Sequence, residues 1–519
     1  MRDPDRPSWT WLILVFPLYA QILGFDLTFL DDNLFVRDLG RFLGSWSSFP
    51  ALFTQGSFFG SGSDLYYRPL QMLSWMLDLS IGKGNLGVLH LSNIVFHFAA
   101  SCLLLKVLLC AGFARRALPL ALLFALHPAL VQAVAWIPGR TDSLLAIFCL
   151  ASFRCFQARV DGGGRLWLAA HWLLFAAALL TKELAIVLPA ICIVYALLSR
   201  PQNAWQAAIA APGWILLEAG WVLLRRLILK DASAYTLVST VKSVWAGLPA
   251  LLPYLGKAVI PVGLSPYPIL KDAPLGPGLA ALLLLAVLLW RARRNDLRLA
   301  AFGGAWFLAF ILPTLVLPRT DFTPAHFEYR LYLPLIGLLI MAGELEPLRS
   351  FDPARRSHAG ILLAVLAVFS AAAFVNARSY RNADAHWLRA VAVSPRSSFA
   401  HKQLGAIHLL ASRYADAERE SRLALVLYPR EPLANNNLGV LAMSQSRYDE
   451  AAVRFQAELE LNPGYGHSLY NLGLVREAQG KKDEAAALWR RLLALEPNYT
   501  QAYARLAAIE QGNPGVAVP

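Results

Sequence analysis

Eight ionisable residues in this chain stand where apolar stretches begin or end, and their types suit work on an anionic group. Asp31 and Asp32 follow the first apolar stretch, and Arg68 sits in the run Tyr66-Tyr67-Arg68-Pro69. His127 and Arg140 bracket most of HPALVQAVAWIPGRTD, Lys182 and Glu183 are adjacent between two apolar blocks, and Arg330 ends HFEYR. A carboxylate can take the proton of an attacking hydroxyl. Guanidinium and ammonium groups bind phosphate through charge-assisted hydrogen bonds. Ionisable groups at membrane depth are costly, which makes a functional reading the default. The competing readings are plain ones: Asp31 and Asp32 as loop or capping acids, Arg68 as an interface anchor, Lys182 and Glu183 as a local pair. His90, Asn93 and His97 share one helical face, and packing or hydrogen bonding accounts for them. No H-x-x-x-H, E-x-x-H or C-x-x-C spacing supports a metal site, and no cofactor is expected.

The elements that must position these residues are membrane-spanning helices. The chain has 519 residues, 57% hydrophobic and only 16% charged, whereas a soluble domain is about a quarter charged. The apolar excess lies before residue 376. Eleven blocks there reach spanning length, near 9–25, 88–109, 117–136, 141–157, 166–181, 183–198, 206–229, 276–291, 299–317, 331–346 and 358–376. The first reads as an uncleaved span because no small-residue cleavage site follows it. The stretch 245–261 contains Pro249, Pro253, Lys257 and Pro261, and reads as interfacial or re-entrant. All five cysteines fall in or beside apolar blocks without a C-x-x-C pair, which argues against a disulfide framework.

Charge sets the orientation. From Asp384 onward 15 Lys and Arg face 14 Asp and Glu, so nearly all of the net charge of +13 lies in the apolar part. Arginines cluster in alternate loops, at Arg115-Arg116, Arg154 to Arg165, Arg200, Arg291 to Arg298 and Arg349 to Arg356. That is the positive-inside pattern rather than a nucleic-acid patch. It predicts a cytoplasmic N-terminus, with all eight residues above and the segment after residue 376 on the outer face.

The C-terminal part is a repeat array. Leu404-Gly405, Leu438-Gly439 and Leu472-Gly473 recur with a period of 34, as do Ala417, Ala451 and Ala485, and Pro395, Pro429, Pro463 and Pro497. This is the tetratricopeptide-repeat (TPR) pattern, and stacked repeats present a concave surface to extended peptides. The fold class is therefore all-α: a multi-span membrane domain over 1–376, a linker and half-repeat over 377–396, a TPR α-solenoid of three full repeats and a capping helix over 397–511, and a disordered tail over 512–519.

The motifs LDDN, YYRPL, LHLSNIVFH, LFALHPALVQAVAWIPGRTD, LLTKELAIVLPAI and FEYRLYLPLIG occur in an order that resembles the transmembrane and tetratricopeptide-repeat (TMTC) protein mannosyltransferases. That resemblance implies a GT-C glycosyltransferase with a polyprenyl-phosphate sugar as donor and co-substrate, and Ser/Thr hydroxyls of a protein as acceptor. It implies an acid of the first outer loop, Asp31 or Asp32, as base, with the first of the pair favoured. Arg68, His127, Arg140, Lys182, Glu183 and Arg330 would bind the lipid phosphate or shape the cavity. Two departures stand out: Gln132 where members often carry Glu, and a short repeat array. The chain looks like a bacterial relative in the inner membrane, with its TPR domain periplasmic and the hexose not fixed as mannose. A glycolipid or cell-wall acceptor, and a non-enzymatic membrane-anchored TPR adaptor, are the alternative expectations.

Overall fold

A computed structural model describes residues 9–59, 66–229, 237–316 and 325–510. Among them the chain is helical, apart from one isolated antiparallel bridge between Ile269 and Ala325. The described residues fall into two compact units that divide between His386 and Trp387.

The first unit is an apolar helical bundle. Five helices are long and apolar enough to cross a membrane: Leu86–Cys110, Ile137–Val160, Trp205–Ile228, Arg298–Leu315 and Arg356–Tyr380. A bent pair, Ala114–Ala125 and Pro128–Ala135, meets the same test if taken as one span. Trp9–Gly24, Arg165–Thr181, Glu183–Ser199 and Gly276–Ala292 are shorter apolar helices. The block near 331–346 forms the helix Tyr332–Gly343, which is buried along almost its whole length. The stretch near 245–261 becomes a 3-10 turn, Leu248–Ala250, and a short helix, Leu251–Val259. Pro249 and Pro253, which cannot donate to a preceding turn, keep both pieces short.

Helix breaks are local and have visible causes. Pro128 follows His127 and starts a new turn, bending the pair by 50°. Pro138 does the same between Ala135 and the Arg140–Val160 helix. Lys182 adopts an extended conformation between Arg165–Thr181 and the 3-10 turn Glu183–Val187. Irregular backbone at membrane depth is tolerated only where protein or a cavity satisfies it.

The bundle closes by near-contact of backbones. A Cβ at Gly303 would lie 2.5 Å from the Gly337 oxygen and 2.6 Å from the Met341 nitrogen. The helices Arg298–Ile311 and Tyr332–Gly343 therefore cross without intervening side chains, and the Trp306 indole beside this crossing donates to the Leu333 carbonyl at 2.8 Å.

The second unit stacks paired helices: Ser398–Leu410 with Tyr414–Leu427, Ala434–Ser444 with Tyr448–Leu461, and Gly466–Ala478 with Lys482–Leu495, followed by Thr500–Glu510. The repeating glycines mark where the paired helices meet. A Cβ at Gly439 would fall 2.7 Å from the Phe455 ring, while Ala417, Ala451 and Ala485 are buried on the opposing helices. Leu433 enters its repeat in the left-handed region at φ 69°, and its N–H is held by both oxygens of the fully buried Glu458 at 2.9 Å.

The bundle crossing yields a prediction. Overpacking a filled contact typically costs about 1–3 kcal/mol, so Gly337→Ala should lower the thermal unfolding temperature in detergent. Gly360→Ala is the control, because Gly360 has open space around its missing side chain. Equal stability of the two variants would contradict the tight crossing.

Candidate functional site

The helix ends of the first unit surround a cavity of about 460 Å³. Its wall draws on separate places in the chain, among them Asp31, Ser57 with Phe58, Tyr66 and Arg68, the Trp136–Asp142 break, Lys182 with Glu183, Trp221 and Arg225 of Trp205–Ile228, Pro313–Val316, and Tyr329 with Arg330. Most lie where a helix starts or stops, while Trp221 and Arg225 reach the cavity from the face of Trp205–Ile228. The wall is mixed. Asp31, Asp142, Lys182 and Arg330 give it polar groups, while Leu184, Ile186, Trp221 and Val316 give it an apolar flank.

Two ion pairs lock the wall. The Arg68 guanidinium donates through Nε to Glu183 at 2.9 Å and through Nη2 to the other carboxylate oxygen. Arg68 precedes Pro69, the first residue of the Pro69–Gly82 helix, and its backbone is held out of the helix. Its guanidinium also lies 4.2 Å over the Tyr66 ring. Lys182 donates to both oxygens of Asp142, at 2.8 and 2.9 Å, and lies 5.2 Å from the Tyr329 ring centre. Tyr329 in turn stacks on Trp136 at 6.0 Å.

Two charged groups of the wall are left open. The Asp31 carboxylate makes no hydrogen bond or ion pair among the described residues. Its side chain is exposed toward the cavity, and the surrounding protein still desolvates it in part. That desolvation pushes its carboxyl up to about 6, with the Asp32 charge adding and Arg68 opposing. Arg330 pairs with no carboxylate among the described residues. Its guanidinium lies by the phenol oxygens of Tyr254 and Tyr329, and its Nη1 has no partner.

The structure separates the sequence-predicted residues into two sets. Asp31, Arg68, Lys182, Glu183 and Arg330 line the cavity. Asp32, His127 and Arg140 do not, and each is held by its own partners. Asp32 is buried and accepts from the Thr28 N–H at 2.6 Å, the Thr28 hydroxyl at 2.8 Å, and the N–H groups of Leu30 and Asn33. It fixes the turn that presents Asp31. His127 caps the Pro128 turn by accepting from the Ala129 N–H through Nδ1, and its Nε2 donates to the Ala258 carbonyl at 3.1 Å. Arg140 has no exposed side-chain surface: it donates to Asp78 at 2.6 Å and to the Leu89 carbonyl at 2.8 Å, and lies 4.8 Å over the Trp75 ring.

The eight-residue set missed Asp142, Arg225 and the phenols. Arg225 had a usable signal, since the loop arginines predict an outer face for this helix end, where a cation runs against the positive-inside pattern. Asp142 was visible as an acid three residues beyond the Pro138-Gly139 break, but its link to Lys182 spans 40 residues. Removing one partner of a buried pair strands the other charge. Arg140→Leu should therefore cost about 3–5 kcal/mol, whereas Arg330→Leu should cost less than about 1 kcal/mol. Thermal unfolding of both variants in the same detergent checks the ranking, and the reverse order would contradict these assignments.

Comparison with known proteins places these features beside others. Residues 411–466 and 436–500 match the tetratricopeptide repeat family. The chain is 31% identical over 166 residues to protein O-mannosyl-transferase TMTC1 of Mus musculus, covering 30% of this chain and 18% of the relative. It is 35% identical over 195 residues to protein O-mannosyl-transferase Tmtc2 of Drosophila melanogaster, covering 35% and 20%. It thus spans a fifth or less of the length of these curated relatives. Among solved structures, ArnT from Cupriavidus metallidurans bound to undecaprenyl phosphate aligns over 93% of this chain and 92% of its own, with a TM-score of 0.43 and 15% identity. The chain is a multi-pass membrane protein with a C-terminal tetratricopeptide-repeat array, similar in sequence to the TMTC protein O-mannosyl-transferases.

Proposed function

We propose that this protein is a membrane glycosyltransferase that moves a hexose from a polyprenyl-phosphate donor to Ser/Thr hydroxyls of a protein. The observation that carries this reading is the pairing pattern of the cavity. Its other lining carboxylates, Asp142 and Glu183, are neutralised by Lys182 and Arg68, while Asp31 and Arg330 stay available for a reacting pair of opposite charge demand. The apolar flank at Leu184, Ile186, Trp221 and Val316 suits the isoprenoid part of an amphiphilic donor. Similarity to the TMTC relatives supports a hexosyl transfer of this class.

In the reaction, the acceptor hydroxyl oxygen attacks the anomeric carbon and the bond from that carbon to the phosphate oxygen breaks, inverting the centre. The hydroxyl proton passes to Asp31. The departing lipid phosphate gains negative charge, which Arg330 stabilises where it develops. The TPR unit supplies a surface of the kind that binds extended polypeptide, here proposed to hold the acceptor. The loop arginines support an outward-facing cavity in a bacterial inner membrane, with the N-terminus cytoplasmic and the TPR array periplasmic.

Membranes carrying the protein, supplied with a panel of polyprenyl-phosphate hexoses, test this reading. Asp31→Asn should lower transfer by about 100-fold or more while leaving thermal stability in place. Transfer at the wild-type rate would remove Asp31 from the reaction. The same assay has a pH signature with a definite sign. The working form is the carboxylate, so acid removes activity. The rate should be level at neutral pH and fall as pH drops through about 6, by about tenfold for each further unit. A profile flat across that range would contradict Asp31 as base.

A further inference from the structure

Arg330 sits on a single 3-10 turn, Glu328–Leu331, too short to hold a guanidinium in place by itself. Four side chains, Gln132, Tyr254, Lys257 and Glu328 of the turn itself, fix it, and none of them lines the cavity. Gln132 is fully buried in the broken helix Val131–Ala135. Its amide oxygen accepts from the N–H groups of Glu328 and Tyr329, at 2.9 and 3.3 Å, and its amide nitrogen donates to the Pro266 carbonyl at 3.0 Å. The Glu328 side chain is equally buried; one carboxylate oxygen accepts from the Lys257 ammonium at 2.7 Å and the Ser265 N–H at 2.9 Å. Tyr254, which flanks Arg330, donates to the Phe327 carbonyl at 3.2 Å.

The chemistry of Gln132 is specific to this arrangement. One amide must both accept from two N–H groups of the Arg330 turn and donate to a carbonyl of the Ser265–Tyr267 segment. A carboxylate at this position could accept but not donate. Glu328 ties the turn to that segment a second time through the Ser265 N–H, and to the Leu251–Val259 helix through Lys257. The turn is thus held from the broken helix and from the Leu251–Val259 region at once. This goes further than stability requires of a loop, since a turn of this kind needs its N–H groups satisfied but not two independent ties to the same segment.

We infer that Gln132, Lys257 and Glu328 form a positioning latch that fixes Arg330 as the phosphate-binding group of the cavity. The inference rests on the proposed role of Arg330. The latch residues touch no ligand and act through the position of the guanidinium alone. Loss of a charge-assisted contact to phosphate corresponds to about tenfold or more in affinity.

The test measures binding of polyprenyl phosphate, and of uncharged polyprenol, to the full chain in nanodiscs. The variants are Arg330→Ala, Gln132→Leu and the two combined. Each single variant should weaken polyprenyl phosphate by about tenfold, and the double variant should bind no more weakly than Arg330→Ala alone, because both remove one contact. Polyprenol binding should be unchanged throughout, which a variant that merely loosened the fold would not allow. Additive losses in the double variant, or wild-type affinity for Gln132→Leu, would overturn the latch while leaving the role of Arg330 intact. Wild-type affinity for Arg330→Ala would overturn the phosphate reading, and the latch with it. Should Gln132→Leu fail to fold, Lys257→Met with Glu328→Gln breaks the second tie without stranding a charge. The same outcomes then decide the question.

Discussion

Lys182 and Glu183 are adjacent, carry opposite charges, and reach different helices around one cavity. The extended conformation of Lys182 between two helical segments is what separates them. Lys182 reaches Asp142 on the Arg140–Val160 helix, and Glu183 reaches Arg68 at the start of Pro69–Gly82. A single break thus ties three elements together and creates the gap between them. The same two pairs also meet the electrostatic constraint, since an unpaired charge in an apolar bundle is costly unless water or a ligand reaches it.

Asp31 and Asp32 show how neighbours with the same chemistry take different parts. Asp32 turns inward and collects hydrogen bonds from Thr28, Leu30 and Asn33, so its charge is spent on the loop. Asp31 is left on the other side of the short Asp31–Asn33 turn, facing the cavity. A carboxylate raised by desolvation binds a proton more readily than an ordinary one, and this is the property a base at this position needs. The buried acid makes the exposed one usable, because the turn it holds keeps Asp31 from folding back onto its own N–H groups.

The apolar blocks were legible because a span needs about 20 apolar residues whatever surrounds it. The repeats were legible because Leu-Gly, Ala and Pro each report a local packing or backbone requirement that recurs with the period. The site was only partly legible. Arg140 and Arg330 both sit at helix starts beside prolines or aromatics, and nothing local distinguishes them. The difference is Asp78, which lies 62 residues before Arg140 and fills its need. His127 likewise resembled a cavity residue because it is a polar group near the end of an apolar block and matches the family motif. The break it caps, with Ala258 as its second partner, is a tertiary fact. Side-chain direction at a broken helix depends on which neighbour arrives there, and spacing along the chain does not encode that.

The departure at Gln132 follows from the same constraint. At the sequence level, replacing an acid by an amide only removes a charge. In the folded bundle it matters that the amide can donate, because the Pro266 carbonyl lies opposite the two N–H groups of the Arg330 turn. Glu328 already places one carboxylate in this region, balanced by Lys257. A second carboxylate at 132 would face a carbonyl and a like charge with no further cation paired to it among the described residues. The neutral side chain therefore keeps the charge behind the turn balanced. The positive charge of Arg330 is then neither cancelled by the groups that hold it nor shared with them, and it remains directed at whatever anion occupies the cavity.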